Sequence, residues 1–385
     1  MAPVSLSPAL AATGTYPFAK LEEAKRRLAA QGVELIDFGK GDPREPTDPM
    51  IRQALADSLT EISTYPLAEG LPELRGAVGG WCARRFGVEL DPDIEIIPTY
   101  GSKEAIFLLA QILIDRDGGR RLVVTTEPGY PVPDRGAVFA GADVLQLPLL
   151  EQNGFLPDLD AVDTATWQRA AIVWINYPNN PTGAVAPLDF LERLADLSAK
   201  HEFLLASDEA YTELWFDEPP HSALEVRDRG NLAVFNTLSK RSSMTGYRSG
   251  FVAAAPELIA ALKQFRPSVG TAPQEFVQRA SVVAWNDEEH VERTRAAYRR
   301  KRDALLPTLA RKGIRVAGSD ATMYLWLEVP AGESSETFAG RLLEHGLVVS
   351  PGTFFGAAGE GYWRLALVPT EAECLRAAEI LDEVL

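Results

Sequence analysis

The stretch TLSKRSSMTGYR, residues 237–248, sets one lysine among hydroxyls and arginines directly behind an apolar run. That run reads as a strand over 232–236, so Lys240 falls just past a strand's carboxyl end. Ligands of open α/β sheets gather at that edge. Thr237, Ser239 and Arg248 supply the hydroxyl and guanidinium donors that a dianion needs. A lysine beside an anion site and a carboxylate is suited to forming an imine with a phosphorylated aldehyde. A lone lysine is otherwise a solvated charge, so the decision rests with the rest of the chain.

Six more short apolar runs lie at 94–97, 122–126, 144–147, 171–176, 203–207 and 251–254, with helical patterns between several of them. They show little polar alternation, as expected for strands covered on both faces. The fold class is therefore α/β with a mostly parallel sheet. Upstream, helices are expected at 16–32, ending at Gly32, and at 50–59, with a third in 65–87. A charged helix begins near 288 and opens a second, smaller α+β unit, whose strands are read from MYLWLEV, GLVVSPG and YWRLALV. Internal repeats and low-complexity tracts are absent.

Composition narrows the function classes. With 46% hydrophobic residues in 385, the chain can bury a large core. Its 38 basic and 54 acidic residues leave a net charge of −16, which argues against nucleic-acid or acidic-membrane partners. Anionic small substrates stay open, because a local pocket can oppose the net sign. No apolar run reaches the roughly 18 residues of a membrane span. The opening MAPVSLSPALAATG reads as a short lead, not a signal peptide. Cys82 and Cys374 form no ligand spacing and fit free thiols in a cytoplasmic protein. His201, His221, His290 and His345 lack metal-ligand spacing, so no metal is expected.

Four further motifs fall at predicted strand ends or in the second unit. TYGSKEAIFLLAQIL (99–113) opens a helix at Gly101 and Ser102, whose free amides make an anion site; Ser102 also fits a plain N-cap. NYPNNPTG (176–183) is a rigid Asn/Pro turn with amide donors. FLLASDEAYTEL (203–214) puts Asp208 and Glu209 behind a buried strand, to cap a following helix or to hold a cationic ligand atom, with Tyr211 beyond. SPGTFFGAAGEGYWRLAL (350–367) carries Arg364, which alternates with Leu365 and Leu367 and so points off the apolar face. Arg364 is either an ion-paired strand residue or a bidentate carboxylate clamp. No G-x-G-x-x-G, Walker A or G-x-S-x-G pattern is present.

Together and in this order, SKRSSMTGYR, NYPNNPTG, SDEAY and PGTFFG with its downstream arginine resemble the fold-type I, pyridoxal-phosphate-dependent aminotransferases of class I/II. The resemblance runs from about residue 16 to the C-terminus. It implies a large cofactor domain over 46–285, a small C-terminal domain over 286–385, and an N-terminal arm with part of the small domain over 1–45. It implies that Lys240 forms the imine with pyridoxal 5'-phosphate and shuttles the substrate's Cα proton. Asp208 would pair with the ring nitrogen, and Tyr211 and Asn180 with the phenolic oxygen. Tyr130 in EPGYPVP would stack on the ring. Ser102, Lys103, Thr237 and Arg248 would hold the phosphate, joined by Tyr65 of STYPLAEG from the second subunit of a homodimer. Arg364 would clamp the α-carboxylate, helped by backbone around Gly41 in FGKGDP and by Asn180.

YPFAKLEEAK followed by LIDFGKGDP resembles the N-succinyldiaminopimelate aminotransferases, which implies glutamate as donor and N-succinyl-2-amino-6-oxopimelate as acceptor, in lysine and diaminopimelate biosynthesis. Both carry distal carboxylates, for which Lys103 and Lys40 are candidates; either also fits a solvated lysine. Tyr16 and Phe18 form a lid over the substrate or pack the arm. SVGTAP (268–273) offers small residues that suit a bulky substrate. An aspartate or broad-specificity aminotransferase and a C–S β-lyase share the same motifs and stay open. A ligand-sensing domain of a transcription regulator is disfavoured by the charge of −16.

Overall fold

The computed structural model describes residues 4–13, 18–270 and 272–385, so Tyr16 lies outside the described residues, as does the side chain of Phe18. Seven strands build the central sheet. From edge to edge they are Ile96–Thr99, Gly250–Ala254, Leu232–Thr237, Leu204–Asp208, Ala170–Asn176, Leu122–Glu127 and Asp143–Pro148. Gly250–Ala254 runs antiparallel to both neighbours, and the remaining pairs are parallel. All seven runs named from the sequence are strands here. The run at 94–97 slides two residues, because Ile94 sits in a turn with its amide on Asp91 O and its side chain 48% exposed.

Burial on both faces explains the unbroken apolar runs. In Ala170–Asn176, Ile172 and Trp174 join the layer of helix Gly101–Leu113, whereas Val173 and Ile175 join the opposite layer. None of the four exceeds 3% exposure. Each such burial is worth roughly 1.5–3 kcal/mol, so a polar residue on either face would be costly. From Leu122–Glu127 the chain steps outward to Asp143–Pro148, then crosses back to Ala170–Asn176 and on through the strands at 204 and 232. The winding reverses between the strands at 122 and 170, and a crevice opens at the carboxyl ends of such a switch.

A four-stranded antiparallel sheet, ordered Ser350–Pro351, Tyr362–Ala366, Tyr324–Glu328, Val316–Gly318, builds the second unit. The single strand read from GLVVSPG is in fact two short ladders. Leu347–Val348 pairs with Ile36–Asp37, and Ser350–Pro351 pairs with Tyr362–Ala366. The N-terminal strand thus belongs beside the C-terminal sheet, and residues 38–48 lead from it to the central crevice. Helix Glu289–Arg311 anchors that passage. Lys301 pairs with Glu45, and Arg293 with Asp48 at 2.8 Å. Among the described residues, no helix is long and apolar enough to cross a membrane.

Candidate active site

A cavity of about 360 Å³ lies at the carboxyl ends of the central strands, against the second unit. One end of it is built by close backbone approach. Tyr100 takes the N-cap position of helix Gly101–Leu113 and gives no side-chain cap, so Ser102 is inside the first turn and not the cap. The first-turn amides therefore keep their donor capacity. Gly101 has φ +66°, and a Cβ there would lie 2.6 Å from Arg248 Nη2. Arg248, itself left-handed at φ 55°, donates to Tyr100 O at 3.0 Å and Thr245 O at 2.9 Å. Gly250 completes the fit, since its Cβ would meet Asn236 O at 2.5 Å. Thr237 Oγ1 accepts from the Ser239 amide at 3.1 Å and lies 2.9 Å from both Ser249 O and Ser239 Oγ. Thr237 is thus largely occupied within its own turn, and Ser239 stands beside it on the cavity wall.

The acidic pair after strand Leu204–Asp208 divides. No helix follows it directly to be capped. Glu209 turns into the interior, accepting from Ser207 Oγ at 2.9 Å, Ser222 Oγ at 2.6 Å and the Ala223 amide at 2.8 Å. Asp208 lines the cavity, and its carboxylate accepts from the Ala210 amide at 3.3 Å. Burial pushes its carboxyl up to about 7, against the pull of the Ala210 amide and the Lys240 charge. Tyr211 OH lies 2.8 Å from Tyr324 OH. Burial raises the Tyr211 phenol well above its ordinary value, so it stays a hydrogen-bond donor.

Lys240 stands in the one-turn helix Leu238–Arg241, and its Nζ donates to Gly41 O. Burial lowers the amine to about 8; nearby Asp42 opposes that shift, and Arg364 and Arg248 reinforce it. A lysine with this value presents free amine at near-neutral pH, which an ordinary lysine does not. Gly41 is required by space, not by its dihedrals: a Cβ there would sit 2.0 Å from Tyr324 OH.

Arg364 comes from strand Tyr362–Ala366 and is 2% exposed, well inside the protein. Its Nη1 donates to Asn180 Oδ1 at 2.8 Å and its Nη2 to Gly39 O at 2.7 Å. The guanidinium packs over the rings of Tyr324 at 4.2 Å and Phe355 at 4.4 Å. Asn180 is held through its amide to Asn176 Oδ1 at 2.9 Å. With its carbonyl engaged by Arg364, Asn180 keeps its side-chain NH2 for a ligand.

The cavity gathers Ser102, Lys103, Tyr130, Asn180, Asp208, Tyr211, Thr237, Lys240 and Arg248, together with Lys40, Gly41 and Arg364. Tyr65 is not on its wall and is 96% exposed. Lys103 is exposed in the first helical turn, while Lys40 pairs with Glu22 at 2.8 Å. The described part of 268–273 is not on the wall. Sequence reasoning missed Asp42, Asn176 and Tyr324, although FGKGDP and NYPNNPTG contain the first two. Five cationic side chains (Lys40, Lys103, Lys240, Arg248, Arg364) face two acids (Asp42, Asp208) here, so the site is locally positive within an acidic chain.

These donors suit a dianion at one end, a cationic ring atom at Asp208, a carbonyl carbon at Lys240 and a carboxylate at Arg364. The family model described as aminotransferase class I and II matches residues 33–381. The LL-diaminopimelate aminotransferase of Aquifex aeolicus (strain VF5) is 42% identical over 371 residues, covering 94% of this chain and 95% of that protein. That of Nitratidesulfovibrio vulgaris (strain DP4) is 40% identical over 379 residues, covering 97% of each. Among solved structures, a probable N-succinyldiaminopimelate aminotransferase from Thermus thermophilus superposes with TM-score 0.88 at 32% identity, covering 96% of this chain and 100% of that one. The sheet order, the locally positive crevice and these matches agree: the chain belongs to the class I and II aminotransferases and has their fold-type I architecture.

Proposed function

We propose that this aminotransferase holds pyridoxal 5'-phosphate in the cavity and moves the 2-amino group between glutamate and a diaminopimelate-type seven-carbon acid. The observation that carries the reading is the placement of Lys240, with its lowered amine, between Asp208 and the Arg248–Gly101 corner. The residues fit the cofactor. A buried carboxylate that the Ala210 amide at 3.3 Å favours in its ionised form, and whose burial leaves it wanting a cation, suits a protonated ring nitrogen. The helix Gly101–Leu113 start, Ser239 and Arg248 suit a phosphate, and the Tyr211 hydroxyl and Asn180 amide suit a phenolic oxygen. Tyr130 would cover one ring face.

When bound, the cofactor supplies an electron sink for the bond broken at the substrate's Cα. The chain's own residues do the rest. Arg364 grips the α-carboxylate, and its packing between Tyr324 and Phe355 restricts the orientations that the substrate can take. Lys240 would take the proton from the substrate's Cα in one half-reaction and return a proton to Cα in the other, as one base for both. Asp208 stays ionised opposite a cation and so favours the electron-rich state.

For the distal end, Lys103 and Lys40 offer positive charge and Asp42 negative charge. The relatives named LL-diaminopimelate aminotransferase support the free diamino acid, whose far end carries both signs. The Thermus structure and the YPFAKLEEAK–LIDFGKGDP resemblance support the N-succinylated acid. A panel of LL-diaminopimelate, N-succinyl-LL-diaminopimelate, aspartate and aromatic amino acids against 2-oxoglutarate decides between them. Aspartate as the best substrate would overturn both. Pyruvate release from cysteine conjugates without amino transfer would make the chain a β-lyase instead.

The homodimer belongs to the same proposal. Tyr65 lies in a segment where Leu59, Ile62 and Leu67 are also at least 60% exposed, an apolar surface suited to a second subunit. Hybrid dimers of Lys240→Ala and Tyr65→Phe chains test it. If Tyr65 serves the partner's phosphate, each hybrid regains one intact site and cofactor affinity returns; no recovery on mixing sinks the idea.

A further inference from the structure

Two residues past Lys240, Ser242 begins a buried polar chain. Its Oγ lies 2.8 Å from His290 Nε2, and His290 Nδ1 lies 2.6 Å from Asp287 Oδ2. Hydroxyl, imidazole and carboxylate follow one another as in a serine hydrolase. Yet Ser242 is 2% exposed, His290 3%, and neither lines the active-site cavity. No acyl donor reaches this hydroxyl, so the chain's use is internal. Asp287 also accepts the His290 backbone amide at 2.9 Å, which fixes the carboxylate at the start of helix Glu289–Arg311. An ionised Asp287 accepts a hydrogen bond from Nδ1–H, leaving Nε2 as acceptor for the Ser242 hydroxyl.

The neighbouring Arg241 is docked on the same segment. It donates to Ala284 O at 2.6 Å, Asp287 O at 3.2 Å and Glu288 Oε2 at 2.8 Å, and it lies over the Trp285 ring at 5.1 Å. Both residues after Lys240 are therefore tied to residues 284–290, while Thr237 and Ser239 tie the turn from the other side. Arg241 Nη1 also lies 3.5 Å from Ser242 Oγ, so the two anchors meet at this hydroxyl. The histidine bond adds a constraint on the last residue of the turn, where Ser242 is the C-cap.

We propose that His290 is a positioning residue for Lys240: through Ser242 it locks the C-terminal side of the lysine turn, so that the amine stays on the cavity wall opposite Gly41. This rests on Lys240 being the reacting amine. Misplacing a reacting group by about 1 Å can cost on the order of a hundredfold, and a loosened turn costs part of that.

The test uses the holoenzyme and four variants: His290→Phe, His290→Gln, Ser242→Ala and the double Ser242→Ala/His290→Phe. Three quantities are read: kcat and KM for glutamate, the pH at which the cofactor's visible absorbance titrates, and Tm. His290→Phe and Ser242→Ala should each lower kcat about tenfold with KM within about twofold, and move the titration by about half a pH unit. The double variant should be no worse than either single, because one chain is being cut. His290→Gln, whose amide oxygen can still accept from Ser242, should recover most of both signals. If the titration stays at the wild-type pH while Tm falls and Gln rescues nothing, His290 is merely structural and the proposal fails. Lys240→Ala separates the two levels: persistent transamination there would remove the lysine reading itself, whatever His290 does.

Discussion

Replacing Gly41 by alanine should cripple this enzyme without disturbing any charge. The backbone at Gly41 is not in a glycine-only conformation, so the effect comes from space alone. The new Cβ would lie 2.0 Å from Tyr324 OH and 2.8–2.9 Å from Cζ and Cε1. Residue 41 is held by Lys240 on its carbonyl, so the phenol has to retreat by about 1.4 Å to reach ordinary contact. That motion breaks the 2.8 Å bond to Tyr211 and shifts the ring under Arg364. A buried hydrogen bond is worth about 1 kcal/mol and a desolvated cation–π contact up to about 2. Their loss amounts to about 2–3 kcal/mol, or roughly 30- to 150-fold in kcat/KM for glutamate. Initial rates across a glutamate series measure it, with Tm as a check on folding. Adding Tyr324→Phe removes the 2.0 Å contact and leaves the 2.8 and 2.9 Å ones, so Gly41→Ala/Tyr324→Phe should regain about tenfold over Gly41→Ala. The reasoning is refuted if Gly41→Ala stays within threefold of wild type. It is equally refuted if the double variant is no better than Gly41→Ala while Tyr324→Phe alone is active.

Other outcomes follow from the same geometry. Asp208→Asn keeps the shape but removes the buried carboxylate proposed to face the cofactor's ring nitrogen; kcat for the glutamate half-reaction should fall by about a hundredfold or more, with cofactor content measured alongside. Gly101→Ala forces a left-handed alanine, at about 1–2 kcal/mol, and displaces Arg248; cofactor Kd by equilibrium dialysis should rise at least about tenfold. The cofactor-free protein should lose stability as pH rises. Asp208 and Glu209 have folded carboxyls raised to about 7, above unfolded values near 4, so their contribution is complete below pH about 4 and disappears as pH climbs through about 7. Unfolding free energies from urea melts between pH 5 and 7.5 should fall by about 1 kcal/mol per pH unit for each group, and Asp208→Asn should remove its share of the slope.

Much of this was legible beforehand, for identifiable reasons. Strands buried on two faces leave continuous apolar runs, so all seven central strands were found, with ends drifting where a turn such as Ile94 is also apolar. Lys240, Asp208 and Asn180 each follow such a run within a few residues, and local spacing was enough to place them at one edge. Tyr324 was invisible because it arrives from another sheet, inside a string that reads only as a strand; its role exists through Gly41 and Tyr211, far away in the chain. Asp42 lacked a local signal that distinguishes it from a turn acid. The N-cap alternative for Ser102 fell away because Tyr100, which caps nothing with its side chain, holds that position. Alternation predicted that Arg364 leaves the apolar face, but not that two aromatic rings enclose it there.

The 2.8 Å bond between Arg364 and Asn180 joins the group suited to a substrate's carboxylate to one suited to the cofactor's oxygen. Two guests that share such a bond cannot have independent affinities. A carboxylate drawing on the guanidinium changes how strongly Asn180 is polarised, and a cofactor pulling on the Asn180 amide changes how free the guanidinium is to turn. Thermodynamic reciprocity makes the two effects equal in size. The factor by which a carboxylate ligand tightens cofactor binding should therefore equal the factor by which the cofactor tightens that ligand, so titrating either guest with and without the other reports one coupling constant.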